Sequence, residues 1–71
     1  MNEKAVGADF VVYRGRARCF FYACSEKGIQ WIIDNKRKED RLTDESFGCH
    51  VNVLDDVCET LIRDGMDVRN A

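Results

Sequence analysis

The stretch YRGRARCFFY, residues 13–22, sets three arginines directly ahead of three aromatic residues. Guanidinium groups attract phosphate and aromatic rings offer any base a stacking partner, so this mixture suits single-stranded nucleic acid. If residues 16–24 are extended, Arg16, Arg18, Phe20 and Tyr22 project from one face, with Arg14 just upstream. The plainer expectation puts Phe20 and Tyr22 in the core and leaves the arginines around a solvated hairpin.

The same residues can be laid on the signature of an RNA-recognition motif, whose central strand reads Lys/Arg-Gly-aromatic-Gly/Ala-aromatic-aliphatic-x-aromatic. Arg14, Gly15, Ala17 and Phe21 agree with it, but Arg16 and Arg18 stand where the base-stacking rings belong. The signature is therefore not met.

Four cysteines, Cys19, Cys24, Cys49 and Cys58, and a single histidine, His50, are the other residues able to do chemistry. Zinc sites present cysteines in closely spaced pairs, a second pair following 12–20 residues later. Cys19 and Cys24 are separated by an odd step on an expected strand, so they point to opposite faces, as do Cys49 and His50. The thiols read as small buried hydrophobes. No metal site and no cofactor are expected, and no catalytic residue. A cysteine-based redox or metal module is kept as a second alternative.

A third group is acidic. Asp55, Asp56 and Glu59 fall on one side of an expected helix, preceded by Asp44 and Glu45. Such a face could imitate a row of phosphates and enter a basic groove on another protein. It would also complement the positive end of the helix, which is explanation enough for the three helical acids.

These groups must be positioned by a small α+β fold. The runs FVVY, CFFYAC and IQWII are short and rich in β-branched and aromatic residues, and predict strands over 10–14, 17–24 and 29–34. Gly15 suits the first hairpin. SEKG, residues 25–28, reads as a type I turn closed by a glycine at positive φ. A helix from Ser25 also fits Ile29, Ile32 and Ile33, but Gly28 in its first turn tells against it. A charged loop, 35–46, leads to a fourth strand over 47–53. A C-terminal helix over about 53–64 then carries Leu54, Val57, Cys58, Leu61 and Ile62 as one apolar stripe. Asn52 or Asp56 is its expected cap, Gly65 its terminator, and MDV a short final edge strand. The expected architecture is thus an antiparallel sheet of three to four strands with one helix packed on a face. Its core is drawn from Phe10, Val12, Phe21, Trp31, Ile33, Val51, Val53, Val57, Leu61 and Ile62.

Seventy-one residues fit a single small domain, 1–71, with 1–8 as a loose lead-in. At this size only about 60% of the unfolded surface is buried. With 45% hydrophobic residues and a net charge of -2 the chain does not have a disordered composition. The charge is uneven. Residues 1–41 carry nine Lys/Arg against six acids and residues 42–71 two against seven, leaving +3 and -5. Such asymmetry points to separate basic and acidic contact faces. MNEKAVGAD has early acids and no apolar run, so no secretory signal is expected. No membrane span is expected either, and the thiols suit a reducing cytoplasm.

The favoured expectation is a non-enzymatic cytoplasmic protein that binds and modulates or inhibits another macromolecule. Its partner would be a protein, such as a nucleic-acid-binding complex with a basic groove, met by the acidic face or by Arg14, Arg16 and Arg18. In size and composition the chain resembles small stand-alone inhibitors of the anti-CRISPR class. The alternative is a single-stranded nucleic-acid binder using Arg16, Arg18, Phe20 and Tyr22. One helix cannot cover a four-stranded sheet, so a homodimer through the uncovered face is a further expectation.

Overall fold

The computed structural model describes residues 7–71. Four strands, β1 (Phe10–Arg14), β2 (Arg18–Ala23), β3 (Ser46–His50) and β4 (Val68–Asn70), form one sheet in the order β3-β2-β1-β4. Two helices, α1 (Glu26–Asn35) and α2 (Leu54–Arg63), complete an α+β fold. The lead-in expected over 1–8 lies outside the described residues as far as residue 6; Ala8 is buried.

β1 and β2 form the expected hairpin, with Arg14 opposite Cys19. Gly15 is needed there for space. A Cβ at this position would sit 2.6 Å from the Arg18 carbonyl oxygen, to which the Gly15 N–H donates at 2.9 Å.

The segment expected as a third strand, 29–34, is the helix α1 instead. Ser25 caps it, its hydroxyl accepting from the Gly28 N–H at 3.0 Å. Gly28 is not a turn residue at positive φ, a conformation confined to Gly7 and Gly65 among the described residues. It lets the first turn of α1 pass against the strand layer, because a Cβ on it would meet the Asp9 carbonyl oxygen at 2.5 Å. The change of element changes which isoleucine faces inward. Ile32 is fully buried, whereas Ile33, expected in the core, is 46% exposed.

The sheet is mixed rather than antiparallel. β2 pairs antiparallel with β1 and β3, but β4 runs parallel to β1, Phe10 opposite Val68. This follows from α2, which crosses the sheet between β3 and β4 and returns the chain in its original direction. α2 is preceded by a 3-10 turn, Val51–Val53, so β3 ends at His50 and not at residue 53. Val53 is consequently exposed. Neither Asn52 nor Asp56 caps α2; Val53 is the cap residue and makes no side-chain bond. The C-terminus does follow the expected pattern. Gly65 has φ +85, its N–H donates to Ile62, and the Met66 N–H donates back to Leu61. Because the helix stops there, Ile62 is left exposed at the end of the stripe.

Both helices lie on one face. Phe10, Val12, Cys19, Phe21 and Phe47 from the strands meet Trp31 and Ile32 of α1, Leu61 of α2 and Met66. Phe21 stacks on Phe47 at 4.8 Å between centroids, and Phe10 meets Trp31 and Phe47 edge-on. The Trp31 ring N–H donates to Asp64 at 2.8 Å, joining α1 to the end of α2. Lys27 donates to the Gly65 carbonyl at 2.7 Å and makes the same connection.

Asp9 ties these layers to the sheet. One carboxylate oxygen accepts from the Ser25 hydroxyl at 2.7 Å and the other from the Asp67 N–H at 2.8 Å. The Asp67 N–H, then the Ser25 hydroxyl, hold the carboxyl below its ordinary range, with help from Lys27 and against the smaller effect of burial.

Candidate functional site: the helix-free face of the sheet

Alternation along the paired strands leaves a second set of residues on the opposite face. Three rows cross it. Arg18 stands opposite His50, Tyr13 opposite Phe20 and Gly48, and Val11 opposite Tyr22 and Ser46, with Arg69 on the β4 side. Val11 and Ser46 are buried, but Tyr13 and Tyr22 are each 44% exposed and Phe20 is half-buried. The two tyrosines meet edge-to-face at 5.3 Å and line a shallow hollow of about 260 Å³. Arg69 is held to Asp67 at 3.1 Å.

Phe20 and Tyr22 therefore do not belong to the helix-covered core, contrary to the plainer expectation. The neighbouring Phe21 takes that place, and the register opposite Phe47 decides which aromatic goes inward. Arg18, Phe20 and Tyr22 share the open face as the extended reading required. Arg16 sits in the hairpin loop, off the strand, and Arg14 shares the parity of Val12 at the exposed end of β1. Tyr13 was missed by sequence reasoning. The signal was available in the hairpin register, which sets it opposite Phe20.

Arg18 also borders a cleft of about 480 Å³ beside this face, with Lys36, Arg41 and Gly48 among its walls. Gly48 leaves room for it. A Cβ there would lie 3.2 Å from an Arg18 terminal nitrogen and 3.5 Å from the Phe20 ring. Lys36 closes α1 with its N–H and holds its ammonium 5.0 Å over the Phe47 ring.

The acidic residues do not form one patch. Asp44 and Glu45 precede β3 and the helical acids follow it, so the two groups stand at opposite ends of that strand. Asp44 pairs with Arg41 at 3.0 Å and Glu59 with Arg63 at 3.4 Å. Asp55 and Asp56 are exposed in the first turn of α2.

Three of the four thiols come together on the covered face. Cys19 is opposite Cys49 across β2 and β3, and Cys58 of α2 packs into the same part of the core. Burial pushes the Cys49 and Cys58 thiols up, and the nearby Cys19 adds to both, which disfavours the thiolate that nucleophilic chemistry needs. Cys24 stays apart and exposed. The His50 Nδ1 accepts from the Asn52 N–H at 3.1 Å, so the ring is engaged in local capping. Among the described residues no group of three or more His, Cys, Asp or Glu side chains is arranged to hold a metal ion. Also among them, no helix is long and apolar enough to cross a membrane. Comparison with protein-family models, curated proteins and solved structures returns no match to this chain.

Proposed function

We propose that this chain is a non-enzymatic cytoplasmic binding protein that holds single-stranded nucleic acid on the helix-free face of its sheet. The observation that carries this reading is the register, which gathers Tyr13, Phe20 and Tyr22 beside Arg18 on the face opposite both described helices. Exposed rings at neighbouring strand positions offer successive bases a surface, and the guanidinium supplies the backbone contact. A net charge of -2 does not oppose it, because Asp55, Asp56 and Glu59 belong to the helix layer on the other side of the sheet.

Fluorescence anisotropy with a labelled oligothymidylate tests the proposal. Tyr13→Ala and Tyr22→Ala are expected to weaken binding by about tenfold each, since a base-ring stack is worth roughly 1–3 kcal/mol. Arg18→Glu should weaken it further and flatten its salt dependence. A wild-type protein that ignores the oligonucleotide, or one that sediments as a dimer burying Tyr22, refutes the reading.

A second reading keeps the favoured sequence expectation: modulation of a partner protein, in the manner of the anti-CRISPR class, by the acidic helix. It is favoured by Asp55 and Asp56, which are exposed and make no side-chain ion pair among the described residues. Charge reversal at both positions abolishes partner capture on this reading and spares oligonucleotide binding on the first.

A further inference from the structure

The cleft beside the ring face is built from three separate pieces of chain. Arg18 opens β2, Lys36 ends α1, and Arg41 follows the short 3-10 turn Lys38–Asp40. Its cations are unevenly answered. Arg41 has a side chain only 14% exposed, yet its single carboxylate partner, Asp44, is 79% exposed. The Arg41 Nε is buried with no hydrogen-bond partner. Arg18 and Lys36 make no ion pair among the described residues. The cleft also contains Glu39 and Asp40, but both are exposed, whereas Lys36 and Arg41 are partly withdrawn from solvent. Arg18 is exposed like the two acids, so the cations withdrawn from solvent are Lys36 and Arg41, and water screens the acids. A partly buried cation without a full counter-charge is costly unless an anion supplies one.

The floor points the same way. At Gly48 a side chain would meet both the Arg18 guanidinium and the Phe20 ring. Its missing side chain keeps the cleft continuous with the aromatic rows. An anion in the cleft would therefore lie beside a base stacked on Phe20.

We propose that this cleft is a phosphate-binding site, in which Arg18, Lys36 and Arg41 hold a phosphate of the strand whose bases lie on Tyr13, Phe20 and Tyr22. The assignment of the phosphate to a nucleic acid rests on the function proposed above; the affinity of the cleft for phosphate does not.

The test separates the two. The full-length protein is titrated with inorganic phosphate and followed by amide NMR, with chloride at matched ionic strength as control. Saturable shifts at Arg18, Lys36, Arg41 and Gly48 are expected with phosphate and not with chloride. Lys36→Ala should abolish them, and so should Gly48→Val, with its fold checked by the unchanged spectrum of α2. Tyr22→Ala should leave them intact. Shifts that chloride reproduces, that never saturate, or that survive Lys36→Ala overturn the site.

The source is then read with a hexathymidylate carrying or lacking a 5′-phosphate. A preference of about tenfold for the phosphorylated form, the scale of one charge-assisted contact, assigns the cleft to a strand end. Equal affinities with competition by inorganic phosphate assign it to an internal phosphate, and Lys36→Ala then lowers the salt slope by about one. Phosphate uptake without oligonucleotide binding upholds the cleft and removes the nucleic-acid function. Oligonucleotide binding through Tyr13 and Tyr22 without phosphate-dependent shifts does the reverse.

Discussion

The two faces of the sheet carry aromatic residues at adjacent positions of the same strands and use them for different ends. Phe21 is fully buried against Phe47, while Tyr22, one residue on, is 44% exposed beside Tyr13. The covered face has phenylalanine at each of its three fully buried ring positions, Phe10, Phe21 and Phe47, and the open face has two exposed tyrosines beside the half-buried Phe20. A hydroxyl costs free energy when buried without a partner and nothing when it faces water. Among these rings the exposed ones carry a hydroxyl and the fully buried ones do not, while Phe20 on the open face, without a hydroxyl, stays half-buried.

The sharpest way to break that comparison is to truncate one ring from each face. Phe21→Ala should cost about 3–5 kcal/mol, because it removes a stacked partner from a core that cannot collapse around the loss. For so small a chain this is most of the stability, and thermal melting should show little cooperative transition. Tyr22→Ala should change the melting midpoint far less, its measurable loss appearing in ligand binding instead. Comparable losses from the two variants would show that the open face is structural.

The covered face also depends on a polar anchor outside the ring cluster. Asp9→Ala should cost about 1.5–3 kcal/mol at neutral pH, the worth of hydrogen bonds to a charged acceptor. The sign of its pH dependence follows from the lowered pKa. With the folded value below the unfolded value of about 3.9, the carboxylate's contribution is complete above that pH and is lost as pH falls through the folded value. Urea titrations of wild type and variant should therefore differ most near pH 7 and converge below about pH 4. A gap that stays constant with pH would show that the hydrogen bonds do not depend on the charge.

The same anchor explains what was not legible in the chain. β1, β2, α2 and Gly65 could be read locally, since each declares itself through a run, a stripe or a turn residue. α1 could not. Ile29, Trp31 and Ile33 alternate as in a strand while Ile29, Ile32 and Ile33 repeat as in a helix, so periodicity is ambiguous over these ten residues. Gly28 seemed to decide the matter as a turn glycine, whereas its role is the approach to the Asp9 carbonyl, 19 residues away in sequence and invisible to any local rule. A short final edge strand was legible near MDV, but the parallel pairing of β4 with β1 was hidden likewise, because it depends on α2 crossing the sheet. Of the candidate site, Arg18, Phe20 and Tyr22 followed from alternation; Lys36 and Arg41 did not, since their meeting with Arg18 requires α1 and the turn behind it. Gly28→Ala tests this account. Helix propensity alone favours alanine by about 1 kcal/mol, but the clash with backbone should turn this into a net loss of about 1–3 kcal/mol. A gain in stability would mean the close approach is not maintained.

The smallest expected effect sharpens the contrast from the helix side. Asp55 and Asp56 occupy the first turn of α2, whose cap residue Val53 offers no side-chain acceptor, so their charges are the remaining complement to the exposed N–H groups. Asp55→Asn or Asp56→Asn should each cost about 0.3–1 kcal/mol, and less in high salt. If ligand binding belongs to the ring face, the double variant keeps its oligonucleotide affinity or gains slightly from reduced long-range repulsion. If the acids are a contact surface, partner capture falls far more than this small loss of stability can explain. Measuring melting and binding on one preparation thus separates a helix that balances its dipole from a helix that meets a partner.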